Sequence, residues 1–424
     1  MWFAFFLLNL QIQTMQRSCK QSGGEMRKRI KTIIYALWLL MACCVVTACG
    51  VDDGINEGGK LQVEDQDEDD TKATLDESYE YKLPVIFHVI YKDANDASQY
   101  IPSARLQQLL TYVNMIYSGG LFGESENVNV KFVAATYDEK GNKLDTPGVE
   151  YVKWNGTYPI SPLKFMGDNS GKYVSYLWDP NEYINVMMYN FADGGDSDEG
   201  TVLGISHMPY TIVGSTALEG LETTKAKNIQ KRQLKYPHCV SINSLYANKN
   251  GNGGYYESDR YANSNHEATY ISPFDVVVTL SHELGHYLGL FHAFSEHKVE
   301  NADGTTTTDT SDGCYDTDYC DDTPSYNRTE YMEYIEYYMK SHSTPRLQDV
   351  LLRTPCEGDN YLSANIMDYS YTLGYKISAQ QKARIRNVMY YSPLIPGPKK
   401  NGANTRAAGY EAEGKLDLKP IVIK

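Results

Sequence analysis

The hydrophobic pattern of the chain predicts a domain that combines strands and helices. Residues 83–91 form a short apolar run that is typical of a buried strand, and residues 102–117 carry apolar side chains at helical spacing. Further strands are predicted at residues 127–133, 183–189, 202–205 and 240–245. This order of elements indicates an α/β (α+β) fold with a mixed sheet.

The beginning of the chain carries the features of an export signal. Basic residues follow Met26, an apolar run covers residues 33–46, and Val-Thr-Ala precedes Cys49. The run is shorter than a membrane span requires, and its ending resembles the site at which bacterial lipoproteins receive lipid. We expect residues 1–48 to comprise an upstream extension and a signal peptide, with the true start at Met26, and Cys49 to be lipidated. A transmembrane anchor is the alternative.

This signal predicts the location of the protein and one of its contacts. We expect it to be exported and anchored to a bacterial membrane through Cys49, in the periplasm or at the cell surface, or to be released outside the cell.

The charge distribution divides the remainder of the chain. The chain has 39 basic and 54 acidic residues among its 424, and its net charge of −15 excludes nucleic acid as an expected partner. Acidic side chains crowd the segment 49–80, which has few apolar residues and is predicted to be a solvated tether. We therefore expect a folded domain at 81–396 and a tail at 397–424 that is loose up to its apolar end, residues 421–423.

Four cysteines remain for the folded part if Cys49 carries lipid. They are Cys239, Cys314, Cys320 and Cys356. Outside the cytoplasm they suffice for two disulfides, in three possible connectivities. A zinc site built from all four is the weaker alternative, because their spacing lacks paired C-x2-C knuckles.

A helix is predicted after residue 272. Ser272 is expected to be its N-cap, Pro273 its first helical residue, and Asp275 an acid in its first turn. The helix is then expected to continue from Val276 to Leu288.

Two histidines four residues apart lie on one face of this helix. His282 and His286 can therefore ligate one metal ion, and Glu283 is close enough to reach a water on that ion. Gly289 can adopt a positive φ and end the helix, which would return His292 to the ion as a third ligand. Three neutral nitrogens and one open position are the catalytic form of zinc coordination, and Glu283 would act as general base and acid. The complete pattern H-E-x-x-H-x-x-G-x-x-H is far more specific than H-E-x-x-H alone.

A second segment resembles a feature of the metzincin clan of zinc endopeptidases. The sequence around Met367 is similar to the turn whose methionine packs beneath the metal in that clan. Tyr369, two residues later, matches the position at which some members carry a tyrosine near the metal that stabilises the tetrahedral intermediate.

Further segments narrow the resemblance to the pappalysin family. Residues 314–324 resemble its C-x3-D-x3-D-T-P stretch, residues 83–91 its opening strand, and residues 378–386 its closing helix. The similarity spans residues 81–396. It implies a metzincin-type fold with a twisted mixed sheet, an active-site helix and a C-terminal subdomain that holds the methionine turn.

The resemblance also implies roles for individual residues. Leu203, Gly204 and Ile205 would form the edge strand that aligns a peptide substrate in antiparallel orientation. Asp318 and Thr323 match positions that bind structural calcium in relatives, although a solvated acidic loop is the alternative.

Other positions depart from the family pattern. Cys314–Cys356 is the preferred disulfide, but Cys320 is extra to the motif, so the partners of Cys239 and Cys320 stay open. Thr372 stands where relatives that cleave before arginine carry an acid, which leaves the cleavage specificity open. Residues 325–364 resemble an insertion beside the primed-side pocket. No cysteine is placed to block the zinc, because Cys49 is committed to lipid.

The sequence therefore predicts a zinc metalloendopeptidase that acts on proteins or peptides as a monomer. Zn²⁺ is the expected cofactor, with Ca²⁺ as a further ion. Two alternatives stay open: a non-proteolytic zinc amidase or deacetylase acting on cell-surface material, and a surface binding module with a vestigial metal site.

Overall fold

The computed structural model describes residues 75–192, 201–300, 306–309, 314–369, 371–400 and 414–423. The predicted signal segment, Cys49, nearly all of the acidic tether and the loop 193–200 lie outside these residues. Within the described ranges, every helix is too short or too polar to cross a membrane.

The main sheet is built around its longest strand, β1 (Tyr81–Tyr91). On one side, β2 (Val130–Ala134) pairs with the first half of β1, and β3 (Val149–Lys153) pairs with the second half. On the other side lies β4 (Ile184–Tyr189). All three neighbours run parallel to β1. Parallel strands require coverage on both faces, which agrees with the burial of all six residues of β4.

Beyond β4 the sheet becomes mixed, as the sequence predicts. β8 (Val240–Asn243) pairs with β4 in parallel, and β5 (Gly204–His207) pairs with β8 in antiparallel orientation. The last strand is β13 (Val422–Ile423), which pairs antiparallel with β5. The order of the main path is β13-β5-β8-β4-β1-β2.

The position of β13 bears on two expectations. Leu203, Gly204 and Ile205 were expected to form an edge strand; β5 runs from Gly204 to His207, and the described residues of β13 pair with Ser206 and His207 but not with Gly204 or Ile205. The tail was expected to be loose up to residue 421, but its described part is docked from Lys415 onward. The physical reason is an alternation of apolar residues, in which Leu416, Leu418 and Val422 pack against a cluster beneath the sheet.

The remaining elements connect or cover this sheet. The helices are α1 (Ser103–Tyr117), α2 (Pro162–Met166), α3 (Val276–Tyr287), α4 (Arg328–Ser341), α5 (Leu347–Leu351) and α6 (Ala379–Tyr391). Three two-stranded sheets pair β6 (Thr211–Ile212) with β7 (Thr223–Thr224), β9 (His297–Glu300) with β10 (Thr306–Asp309), and β11 (Leu352–Arg353) with β12 (Tyr361–Leu362).

Alternate strand residues bury into two apolar clusters. Ile184, Val186 and Met188 of β4 face a cluster shared with α1, α3 and α6, whereas Met187 and Tyr189 face the cluster that contains α2. The predicted apolar face of α1 lies in the first cluster: Leu106, Leu109, Leu110, Val113 and Ile116. The sheet therefore holds α3 rigidly on one of its faces.

A buried arginine joins α6 to the beginning of the described chain. The Arg386 guanidinium donates to the backbone carbonyls of Asp76, Tyr79 and Asn129, at 2.6, 2.9 and 3.2 Å. Its side chain is only 1% exposed, and it also donates to the hydroxyl of Tyr390. The closing helix and the segment before β1 therefore form one unit.

Candidate metal centre

Asp275 caps the helix that carries the predicted metal ligands. Its carboxylate accepts hydrogen bonds from the amides of Val277 and Val278, at 3.0 and 3.3 Å, and also from the amide of Ser258. The expectation that Ser272 is the N-cap is wrong, because its hydroxyl accepts from Phe274 within a turn that precedes the helix. A carboxylate that satisfies two helical amides fixes the first turn of α3.

The three histidines meet at one point. His286 Nε2 lies 2.9 Å from His282 Nε2 and 3.1 Å from His292 Nε2. Zinc at about 2.0–2.1 Å from each of three tetrahedral ligands would separate them by about 3.3 Å, close to the observed spacing. Among the residues that the structure describes, this triad is the one cluster of three or more side chains able to hold a metal ion.

Hydrogen bonds on the far side of two rings leave the Nε2 atoms available. His282 Nδ1 lies 2.7 Å from the carbonyl of Ile366, and His286 Nδ1 lies 2.7 Å from the carbonyl of Leu290. A carbonyl accepts only from N–H, so both rings carry the proton on Nδ1 and present a lone pair at Nε2. Burial lowers the pKa of His282 to about 3 and the pKa of His286 well below its usual value. Both rings are thus neutral, which is the form that binds a metal.

The third ring is held by an acidic neighbour. His292 Nδ1 lies 2.9 Å from Glu296 Oε1, although the ring N–H is not aligned well enough for a standard hydrogen bond. Gly289 has φ +95°, as the sequence predicts, and a Cβ there would lie 2.8 Å from Val388 Cγ2. The turn at Gly289 therefore requires glycine, and it brings His292 back beside α3.

Glu283 lies beside the triad with an unsatisfied oxygen. The residue is 3% exposed, and its Oε2 has no hydrogen-bond partner within the described part of the chain. Burial raises the pKa of Glu283 well above its usual value. A Cβ on Gly204 would lie 2.5 Å from Glu283 Oε1, so the backbone of β5 passes directly over this carboxyl group. Buried carboxyl oxygens normally have a hydrogen-bond partner, so this one indicates a position at which a further polar group binds.

Met367 packs beneath the helix, as its resemblance implies. A Cβ on Gly285 would lie 2.5 Å from Met367 Sδ, and Met367 is fully buried. Its carbonyl accepts a hydrogen bond from the Ala293 amide at 3.0 Å, which ties the turn to the strand of chain that carries His292. The methionine turn therefore supports both the helix and the third ligand.

Tyr369 lies at the rim of the triad. Its ring centroid is 5.3 Å from that of His282 and 4.4 Å from that of His292. The Arg328 guanidinium stacks over the same ring, at 4.8 Å. The structure thus brings Tyr369 next to two of the three predicted ligands.

A buried ion pair that the sequence did not indicate holds the methionine turn. Arg353 Nε lies 3.2 Å from Asp368 Oδ2, and both side chains are at most 3% exposed. Arg353 also donates to the carbonyls of Tyr369 and Tyr371, and Asp368 accepts from the hydroxyls of Ser363 and Tyr326. Arg353 belongs to the 325–364 segment, so this segment is bonded to the turn beneath the three histidines. Asp368 lies next to Met367 in sequence, and this adjacency was the one feature of the sequence that could have pointed to a role for Asp368 in the turn.

The remaining predicted site residues lie away from the triad. One carboxyl oxygen of Asp318 accepts a hydrogen bond from the hydroxyl of Thr323, at 2.5 Å, and the other accepts one from the Cys320 amide, at 2.9 Å. Burial raises the pKa of Asp318 to about 8. These contacts hold the loop together without any ion, so calcium stays a prediction. The Thr372 hydroxyl is used within the turn, where it donates to the Asn365 carbonyl.

The preferred disulfide is confirmed. Cys314 and Cys356 are bonded, with an S–S distance of 2.02 Å and 5.5 Å between the Cα atoms. Cys239 and Cys320 are buried free thiols in the described structure, so the second disulfide considered from the sequence does not form. Cys239 faces Met166 beneath the sheet instead, with Sγ 3.5 Å from Sδ.

A comparison with protein families gives a match to a peptidase family. Residues 228–390 match the model of peptidase family M43, described as pregnancy-associated plasma protein-A. This segment is thus similar to the pappalysin family of metallopeptidases. It contains the three histidines, Glu283, the methionine turn and most of α6. The match indicates that the chain is a metallopeptidase.

Comparisons with individual proteins give more distant similarities. Mirolysin in complex with a compound is 20% identical, with a TM-score of 0.44 over 74% of this chain and 92% of that chain. Mature mirolysin of Tannerella forsythia in complex with a cleaved peptide is 19% identical, with a TM-score of 0.44 over 73% and 91% of the two chains. A promirolysin mutant of the same organism is 18% identical, with a TM-score of 0.43 over 74% and 81%. A search of curated proteins gives no match.

Proposed function

We propose that this chain is an endopeptidase in which His282, His286 and His292 hold zinc and Glu283 moves the proton. The proposal rests on one observation: three Nε2 atoms face a common point, and a buried carboxyl group whose Oε2 has no hydrogen-bond partner lies beside them. When bound, the zinc ion supplies Lewis acidity, which activates water and polarises the substrate carbonyl.

Glu283 is suited to both halves of the proton transfer. Burial favours its protonated form, so the carboxylate accepts a proton readily from attacking water. The same proton can then pass to the leaving amine, since the backbone at Gly204 confines the side chain close to the reacting atoms. A bound cation would lower the pKa of Glu283 again and keep it ionised before the reaction begins.

Two other parts of the chain would bind the substrate. The outer edge of β5 at Gly204 offers backbone groups level with Glu283, where an extended peptide can pair in antiparallel orientation. Tyr369, beside His282 and His292, would donate its hydroxyl to the oxyanion that develops on the substrate carbonyl.

The complete ligand set and Glu283 argue against a vestigial site. A peptide mixture should be digested with the purified chain, with the chain treated with a chelator, and with Glu283→Ala, followed by mapping of the cleavage sites. We expect cleavage within peptides by the zinc-loaded chain alone, and zinc content unchanged in Glu283→Ala. Glu330→Ala, an exposed acid on α4, serves as the matched control. Parental cleavage by Glu283→Ala would contradict the mechanism, and deacylation without peptide cleavage would favour the amidase alternative.

We further propose export, lipid attachment at Cys49 and the monomeric state, all from the sequence features alone. Metabolic labelling with a fatty acid, compared between the parent and Cys49→Ser, tests the attachment. The proposed calcium site at Asp318 and Thr323 is tested by the thermal midpoint: added calcium should raise it in the parent but not in Asp318→Asn.

A further inference from the structure

The C-terminal segment occupies the same strand edge that the proposed function assigns to substrate. Val422 pairs with His207 and Ile423 with Ser206, both antiparallel, and the Met208 amide donates to the Ile421 carbonyl at 2.9 Å. These contacts lie on the outer side of β5, because β8 pairs with its inner side. The later half of β5 is therefore already paired with this chain's own residues.

The register places this covered edge on one side of the reacting atoms. Gly204 marks the level of Glu283, because a Cβ there would lie 2.5 Å from Oε1. In an antiparallel pair, peptide residues that precede the one opposite Gly204 lie opposite Ile205, then Ser206 and His207. At about 3.4 Å per residue, Ser206 and His207 are about 7 and 10 Å beyond Gly204. These are the positions of the residues on the amino side of the scissile bond, and Ile423 and Val422 fill them.

The segment is docked along its length, not only at β13. Leu416 donates its amide to the Gln233 carbonyl at 2.9 Å, and Lys415 Nζ donates to the Leu234 carbonyl at 2.8 Å. Lys235 pairs with Asp417 at 2.7 Å. Apolar side chains anchor both faces of the segment: Leu416, Leu418 and Val422 on the cluster beneath the sheet, and Ile421 and Ile423 on the cluster above it.

From this geometry we propose that residues 415–423 form a built-in strand that competes with the amino-side part of a peptide substrate. The strand runs in the direction that a bound substrate would take, and its described residues pair with Ser206 and His207. A substrate can therefore pair with Ser206 and His207 only when this strand moves away. This inference rests on the proposed function, since it assumes that substrate pairs with β5. It makes residues 415–423 a determinant of which substrates the enzyme accepts.

Cleavage-site mapping first identifies one bond that the enzyme cuts. The first experiment then compares two peptides cut at that bond, one with two residues before it and the other with six. Removal of residues 415–424 should raise kcat/KM for the long peptide at least about fivefold relative to the short one, because two or more main-chain hydrogen bonds become available to it. Leu416→Asp/Leu418→Asp, which keeps the chain length, should act in the same direction. Lys419→Asp, an exposed residue of the same segment, is the matched control and should change nothing. An unchanged ratio would overturn the proposal.

Two measurements are independent of peptide cleavage. Hydrogen exchange at the Met208 amide should be slow in the full chain and faster after truncation, because Ile421 accepts its hydrogen bond. A labelled synthetic peptide with the sequence of residues 415–424 should bind the truncated chain and not the full chain. If that peptide binds but does not slow cleavage of the long substrate, the segment is structural and the proposal fails. If neither the full nor the truncated chain cleaves any peptide, the proposed function fails. If the labelled peptide does not bind the truncated chain, the docked strand is refuted, whatever the result for cleavage.

Discussion

Gly204 and Glu283 are in direct contact: a Cβ at position 204 would lie 2.5 Å from Oε1 and 2.7 Å from Cδ of the carboxyl group. One residue belongs to β5 and the other to α3, so the contact fixes the strand proposed to bind substrate relative to the proposed general base. No side chain fits between them, because real Cβ atoms do not approach so closely.

We predict that Gly204→Ala displaces the Glu283 carboxyl group and lowers kcat about 100-fold, the cost of a misplacement of about 1 Å at a reacting group. Zinc content should stay the same, because the three atoms nearest to a Cβ at position 204 all belong to Glu283 and none to a histidine. Peptide hydrolysis and metal analysis check the two parts. Gly251→Ala is the control, since a Cβ there meets no atom within 4 Å. Equal activity in both variants would show that Glu283 does not need this position.

The packing of Gly285 against Met367 predicts an unusual response to alanine. In an ordinary helix interior, Gly→Ala stabilises by about 1 kcal/mol. Here the new Cβ would lie 2.5 Å from Met367 Sδ, and such overpacking costs about 1–3 kcal/mol. We expect Gly285→Ala to lower the free energy of unfolding, measured by denaturant titration. Met367→Ala in the same chain should restore part of that loss, and a more stable Gly285→Ala single variant would contradict the packing.

The buried pair Arg353–Asp368 predicts a large effect of removing one charge. Asp368→Asn leaves the Arg353 guanidinium buried beside a neutral amide, which should cost about 3–5 kcal/mol of unfolding free energy. The exposed pair Lys340–Glu336 is the matched comparison, and Glu336→Gln should leave stability nearly unchanged. Thermal unfolding of both variants tests the contrast. Similar small losses in both would show that the buried pair does not hold the methionine turn.

Buried His207 predicts a loss of stability in mild acid. Its Nε2–H donates to the Met166 carbonyl and its Nδ1 accepts from the Cys239 amide, so a second proton has no acceptor. Burial lowers the pKa of His207 to about 4 from its usual 6.5. The unfolded chain therefore binds a proton more tightly than the folded chain between these values, and stability present above pH 6.5 is lost as the pH falls towards 4.

From pH 7 to pH 5 this loss should reach about 2 kcal/mol, at 1.36 kcal/mol for each pKa unit of difference. Neighbouring His238, whose pKa burial also lowers, adds to the same slope. Unfolding free energy should be measured across this range for the parent and for His207→Gln, which retains an N–H donor. Parallel pH profiles for the two chains would contradict the assignment to His207.

The cluster of three histidines could be predicted from the sequence because its geometry is local. His282 and His286 are fixed by the helix repeat, and Gly289 places His292 through a single turn. The apolar runs of β1, β4 and β8 were also readable, since strands buried on both faces are continuously apolar. β3 was missed because its residues 149–153 include two charged side chains, and all but Val149 are partly or fully exposed.

Contacts between distant segments could not be predicted in the same way. Arg353 and Asp368 are fifteen residues apart and follow no periodic pattern, so only the folded chain shows that they pair. Asp275 replaced Ser272 as the N-cap because both residue types cap helices, and the backbone decides which side chain reaches the free amides. β13 is two residues long, and its place beside β5 depends on apolar anchors earlier in the tail.

The bonds of Arg386 set the limit to which the amino-terminal side of this protein could be trimmed. Its guanidinium holds the carbonyls of Asp76 and Tyr79 against α6, and both residues lie at the end of the acidic segment 49–80. A cut before residue 75 would leave these bonds intact, whereas a cut after Tyr79 would remove two acceptors from a buried cation. If Cys49 carries lipid as proposed, cleavage before residue 75 would release a fragment that keeps these bonds of Arg386.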